Sequence, residues 1–211
     1  AGCGIHCGSD DGSQHDGIHT FHIGKNARVR YVEKHYGDGD GKGQKIMNPE
    51  TIVHMEEGSY MEMETTQIKG VDSTKRVTKA DLAASATFIV KEKLMTDGAQ
   101  FAETEFEVEL NGKDSSTDVV SRAVARGTSH QIFRAKVIGN AQCHGHSACD
   151  SIIMDDAKIS AIPELTANDT DAALIHEAAI GKIAGEQLIK LMTLGLTAEE
   201  AEEMIIQGFL K

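Results

Sequence analysis

Residues 101–139 read FAETEFEVELNGKDSSTDVVSRAVARGTSHQIFRAKVIG, and three short alternating runs stand out: FAETEFEVEL at 101–110, DVVSRAVA at 118–125 and HQIFRAKVIG at 130–139. In the first, Glu103, Glu105, Glu107 and Glu109 fall on one side of a strand and Thr104, Phe106, Val108 and Leu110 on the other, because successive side chains of an extended chain leave from opposite faces. Like charges opposite an apolar row mark the solvated side of a half-buried strand rather than an acid–base or metal site.

The same rhythm holds upstream: NARVRYVEKH at 26–35, TIVHM at 51–55, SYMEMETTQI at 59–68, KRVTKADLA at 75–83 and ATFIVKEKLM at 86–95, with Gly58, Gly70, Gly98, Gly112, Gly127 and Gly139 in the linkers. GIHTFHI at 17–23 alternates without declaring one buried face. Short strands separated by Gly turns suit a coiled β solenoid, in which each rung buries its inward side chains only against its neighbours. Composition agrees: no Trp, 4% aromatic residues and 21 glycines fit a thin repetitive architecture better than a sandwich with bulky core anchors. No fixed sequence repeat is visible, and the rhythm alone leaves a sandwich open.

The C-terminal part changes character. Ala172, Ala173, Ile175, Ala178, Ala179, Ile180 and Ile183 have a helical distribution. After Gly185, EQLIKLMTLG puts Leu188, Leu191 and Met192 at helical spacing, with Gly195 as a C-cap. Thr197 with Glu200 three residues on forms a capping box, and Ala201, Met204, Ile205 and Phe209 make an apolar face behind it. Three short helices are expected, and since such helices are marginal alone, their faces must dock on the β body or on a partner. The expected division is a β coil over 1–165 and a helical domain over 166–211.

Charge and hydropathy narrow the function classes. A net charge of −12 over 211 residues, with no basic stripe, argues against a nucleic-acid groove. There is no apolar run of the roughly 18 residues a membrane helix needs, and no signal-like segment at the start. A soluble cytoplasmic protein is expected, and four cysteines in His-rich surroundings suit a reduced compartment and metal chemistry. The chain starts on Ala1 without a lead-in, which reads as a fragment of a longer chain.

The chemistry-bearing residues concentrate in Cys143, His144, Gly145, His146, Ser147, Ala148, Cys149 and Asp150. Two thiols and two imidazoles select zinc, iron or iron–sulfur species, and Gly145 would let the backbone turn close to an ion. The spacing is not that of a zinc finger, so a closed structural zinc is the alternative. Cys3, His6, Cys7, His15, His19 and His22 form a second concentration, although in a strand His19 and His22 would face opposite ways. Three other motifs fail. A calcium loop from Asp38 would need a carboxylate where Pro49 stands, a zinc-protease HExxH would need a His at Ile180, and the Gly-rich turn from Gly37 lacks the end of a phosphate loop.

Several separated motifs then fall in order: SACDS at 147–151, the turn at Pro163, HEAAIGKI at 176–183, EQL at 186–188, LGLTAEEA at 194–201 and IIQGF at 205–209. With them the chain resembles the SufB/SufD family of iron–sulfur cluster assembly scaffolds, densely over the C-terminal third and diffusely before it. The resemblance implies a mainly β, right-handed parallel β-helix with a small C-terminal helical domain that docks a SufC-type ABC ATPase. Glu186, Gln187, Leu188, Met204 and Phe209 would lie on the docking side. It further implies a second SufB/SufD-like subunit, a homodimer in this case, a sulfur donor protein, and a non-enzymatic scaffold role. Cys149 and Glu177 would bind the transient cluster at the subunit interface with His176, and Cys143, His144 and His146 lie close by as further ligands. The chain carries both the Glu of the SufB pattern and the His of the SufD pattern, and is shorter than common SufB proteins. Cys3, Cys7 and Cys143 are all candidates for the upstream cysteine. Thiolate plus carboxylate on one iron gives a labile site, whereas four thiolates would hold a cluster tightly. Because Cys149 must lose its proton to bind, assembly is expected to be pH-sensitive and open to thiol blockers. The alternative is a structural-zinc module that binds an ATPase without building clusters.

Overall fold

The computed structural model describes residues 14–36 and 44–211. The Gly-rich turn from Gly37 and the cluster Cys3, His6 and Cys7 lie outside the described residues.

Fourteen strands are described. The first turns of the coil hold β1 (Gln14–His15), β2 (Ile18–Ile23), β3 (Arg28–Tyr36), β4 (Ile46–Met47), β5 (Glu50–Met55) and β6 (Tyr60–Lys69). Longer strands follow in β7 (Ser73–Leu82), β8 (Thr87–Thr96), β9 (Phe101–Leu110) and β10 (Ser115–Ala125). The last turns hold β11 (His130–Gly139), β12 (Cys143–Ile153), β13 (Lys158–Ala167) and β14 (Ala172–Gly181), followed by helices α1 (Gly185–Met192) and α2 (Ala198–Phe209). All described strand pairs are parallel, and from β5 onward they join alternate strands, so the chain winds between two sheets. One sheet runs β3, β6, β8, β10, β12, β14, and the other ends β7, β9, β11, β13. The fold is a mainly β parallel solenoid of about six turns with two C-terminal helices. No described helix is long and apolar enough to cross a membrane.

Alternation makes this work. β9 buries Ala102, Thr104, Phe106, Val108 and Leu110, and its glutamates face outward as read from the sequence. Those glutamates form ion pairs with the rungs on either side: Glu103 with Arg134 and Lys75, and Glu107 with Lys136. The interior is filled by Val53, Met61, Met63, Leu82, Phe88, Val90, Phe106, Val108 and Val119.

Left-handed residues stack in two columns at the corners, Asn26, Gly58, Ser85 and Asp114 in one and Gly98, Gly127 and Asp155 in the other. Each corner bonds the next, as in Gly58 N–H to Ala84 C=O and Ser85 N–H to Lys113 C=O. At Gly127 both geometry and space demand glycine: φ is +63°, and a Cβ would come within 2.8 Å of the Gly98 nitrogen. Gly139 is not in a linker as expected; it ends β11.

The main correction is β14. The segment expected to be a helix over 171–183 is the last strand of the six-stranded sheet, in register with β12 from Cys143↔Ala172 to Ile152↔Gly181. Local Ala-rich propensity favours a helix, but it spans only tenths of a kcal/mol per residue. A preformed edge that offers a full parallel ladder outweighs it. Among the described residues, helices occupy only positions between 185 and 209. The capping box at Thr197 and Glu200 forms as read. α2 seats Ile206, Leu210 and Phe209 against Met95, Val124, Ile152 and Met154 of the coil. Its inner face thus uses Ile206, and Met204, expected on that face, is exposed.

Candidate functional site

β12 carries the residues singled out from the sequence, and its pleat divides them. Cys143, Gly145, Ser147, Cys149 and Ser151 point into the coil, while His144, His146 and Asp150 take the outer face. The two thiols and two imidazoles therefore do not surround one ion, which corrects the four-ligand expectation and removes the geometry a closed zinc site needs. Among the described residues no three His, Cys, Asp or Glu side chains converge to hold a metal. Gly145 does not bend the backbone toward an ion either. Its α-carbon lies against the core, where a Cβ would meet Leu174 and Val137 at 2.7 Å.

The inner half of the site lies where β12 meets β14. Cys149 is a free thiol, 1% exposed, with the Ser151 hydroxyl 3.4 Å from its sulfur. Burial pushes its pKa up, the Ser151 hydroxyl draws it back in part, and Glu92 and Asp150 raise it further. Ser147 is in register with His176, and Ser147 Oγ lies 2.7 Å from His176 Nδ1. His176 Nε2 is buried with no hydrogen-bond partner among the described residues. Burial, with His146 nearby, holds its pKa below the ordinary imidazole value.

Cys149 also ends a polar column. Glu33, Thr65, Glu92, Ser121 and Cys149 are successive register partners along the inner face of the six-stranded sheet. Glu92 accepts from Ser121 Oγ at 2.6 Å and from Thr104 Oγ1 at 2.9 Å, and burial raises its pKa above the usual carboxylate range. Burial also disfavours the charged form of Glu33. His35 and Arg76, whose Nη1 is 3.1 Å away, outweigh this and hold its pKa at about 2.

The outer half uses the same two strands. Glu177 is in register with Ala148 and projects outward, its side chain 72% exposed. His146 Nδ1 lies 2.7 Å from Asp118 Oδ1 on β10, and its Nε2 lies 3.6 Å from Glu177 Oε2. Asp118 bonds to the ring nitrogen as an acceptor, so Nδ1 carries the proton and Nε2 of the neutral ring presents a lone pair. His144 is exposed on the same face. Within one chain Cys149 and Glu177 come from adjacent strands but leave the sheet on opposite sides.

Sequence reasoning missed Asp118, Glu92 and Ser121. They sit about one rung or two before β12, and only the rung length, unreadable without a repeat, would have tied them to it. Of the second concentration, His19 faces inward and bonds Tyr31, whereas His22 faces outward and stacks on His54.

In the tail, Glu186 and Gln187 on α1 are exposed and Leu188 is half-buried. Met204 is exposed and Phe209 packs partly on the coil. α1 buries no residue fully and leaves Ile189 and Met192 exposed, as is Leu194 just beyond it.

The family model for the SufBD core domain of the SUF system for FeS cluster assembly matches residues 3–209. An iron-sulfur cluster assembly SufBD family protein of Archaeoglobus fulgidus is 30% identical over 213 residues, covering 100% of this chain and 56% of that protein. Namesakes from Methanothermobacter thermautotrophicus and Methanocaldococcus jannaschii are each 32% identical, covering 93% and 89% of this chain but 48% and 60% of their own lengths. The chain spans about half the length of these relatives.

Proposed function

Because the chain belongs to the SufBD core family, we propose that it is a non-enzymatic scaffold subunit on which an iron–sulfur cluster is assembled and released. The cluster is cargo, carried by Cys149 and Glu177 with His176 at a seam between two copies of the chain. A SufC-like ABC ATPase and a sulfur donor protein supply the energy and the sulfide.

The observation that carries this reading is the composition of the last two rungs. A buried thiol and a half-buried imidazole whose Nε2 is buried and unpartnered occupy the inner face there, and a carboxylate occupies the outer face of the same strand pair. Among the described strands, edge strand β14 has no neighbour beyond it. A second copy meeting this edge would bring its own set to the same place, so that thiolate and carboxylate from different faces share one cluster. Mixed sulfur, nitrogen and oxygen ligation holds iron less firmly than four thiolates, which suits transfer. The buried, neutral Cys149 thiol must give up its proton as iron binds, which makes loading pH-dependent.

The helical tail supports an ATPase-docking role. Ile189, Met192, Leu194 and Met204 are exposed, while Ile206 and Leu210 fix α2 to residues that include Ile152 at the end of β12. A pull on the tail therefore reaches the strand that carries Cys149. Glu186, Gln187 and Leu188 are the polar and apolar contacts assigned to the ATPase on α1.

The test is anaerobic reconstitution with ferrous iron and sulfide, followed by visible absorption. The protein is expected to develop a broad charge-transfer band that Cys149→Ala lacks. A band of equal size in the Cys149→Ala protein overturns the assignment of Cys149.

A further inference from the structure

The sheet formed by β10, β12 and β14 separates two chemistries. Sulfur lies on the inner face at Cys143 and Cys149, and on the outer face lie oxygen and nitrogen donors that include Asp118, His146 and Glu177. We propose that His146 Nε2 and Glu177 Oε2 form an open two-ligand site for a divalent first-row metal ion, with Asp118 as the residue that positions His146. Within the scaffold reading, on which this rests for its purpose, that ion is ferrous iron received before it meets sulfur.

The geometry supports it in three ways. Two donors each about 2.1 Å from one ion in tetrahedral geometry lie about 3.4 Å apart. His146 Nε2 and Glu177 Oε2 are 3.6 Å apart, so a small rotation of the exposed glutamate closes the difference. Next, the Asp118 carboxylate on Nδ1 fixes the ring orientation and leaves Nε2 as the free donor, the arrangement common behind metal-bound imidazoles. Finally, imidazole and carboxylate together suit ferrous iron, and the exposure of both groups leaves the remaining positions to water and then to incoming ligands. Asp118 stands one rung from His146, so its place in the site follows from the coil and not from sequence proximity.

The experiment is anaerobic titration of the protein with Co2+, read by d–d absorption, and with Fe2+, read by calorimetry. One ion per chain is expected to bind with a nitrogen and oxygen spectrum, free of a thiolate charge-transfer band. His146→Gln and Glu177→Gln should each remove that component. Asp118→Asn should weaken it by about tenfold to a hundredfold, whereas Asp118→Glu should restore part of the affinity. Cys149→Ser should leave it unchanged. The three positions on the outer face, Asp118, His146 and Glu177, are solvent-accessible, so thermal melts of their variants should match the parent and exclude misfolding as the cause. The proposal is overturned if no component is lost in His146→Gln and Glu177→Gln, or if the spectrum shows thiolate bands that Cys149→Ser abolishes. The two readings fail separately. A Cys149-dependent cluster band without this metal component would retain the scaffold and remove the receiving site. Metal binding without a cluster band would do the reverse.

Discussion

Glu33 and Glu92 stand two rungs apart in one buried column, with their pKa values shifted in opposite directions. Glu33 is ionised against Arg76 and His35, with its pKa held at about 2. Removing its charge leaves a buried guanidinium unpaired, so Glu33→Gln is expected to cost about 3–5 kcal/mol in urea unfolding at pH 7. Its contribution is present above the unfolded value of about 4.3 and is lost as the pH falls toward 2. Glu92 runs the other way. Burial raises its pKa, so its contribution is full below about 4.3 and declines as the pH rises. Glu92→Gln should therefore be close to neutral at pH 5 and gain stability relative to the parent by pH 8. A flat difference across that range would show that Glu92 is charged in the fold. At the same scale, Cys149 should resist alkylation in the folded chain and react at least about tenfold faster in urea, read by peptide mass spectrometry, because its thiol is buried and neutral. The residue types gathered on β12 and β14 were legible from sequence. Their grouping was not, because adjacency along CHGHSACD counts as proximity in a loop but as opposition in a strand.

At the scale of elements, most of the coil could be read from alternation. β9 and β11 have the bounds the sequence indicates, and β8 differs by one residue. β14 could not be read this way. AALIHEAAIG has no strong period of two, and its strand state comes from pairing with β12, a long-range cause that local pattern does not carry. The helices invert this situation. The capping box at Thr197 fixes the start of α2 from four residues alone, while what α2 packs against depends on the coil. Ile206 is fully buried against Met95 and Val124, so Ile206→Ala should cost about 2–4 kcal/mol or detach the helix locally. By contrast, Ile189→Asp on the exposed face of α1 should leave the melting temperature unchanged and reduce copurification with an ABC ATPase from the same source. Equal ATPase capture by Ile189→Asp and Met204→Asp would remove the docking role from this face.

At the scale of the whole molecule, a solenoid buries each rung against two neighbours, so its last rung needs something to cover it. Here β13 and β14 end the two sheets, and Ile162, Leu165, Ile175 and Ile180 on them remain exposed. Two such open edges present unpaired backbone groups beside apolar side chains, the situation that invites a further strand. A second copy would satisfy it with the same surface on both partners, which is the commonest form of homo-oligomer. The expected result in sedimentation equilibrium is a dimer. Its melting temperature should rise with protein concentration, since association stabilises the folded state by mass action. Leu165→Lys combined with Ile180→Lys should give a monomer that melts independently of concentration and keeps the strand signal in circular dichroism. If the cluster is shared across this seam, the monomer should also lose the visible band on reconstitution while still holding Cys149 in its native place. A monomeric parent, or a charged variant that still dimerises and still forms the band, would show that the open rung is covered by something other than its own copy.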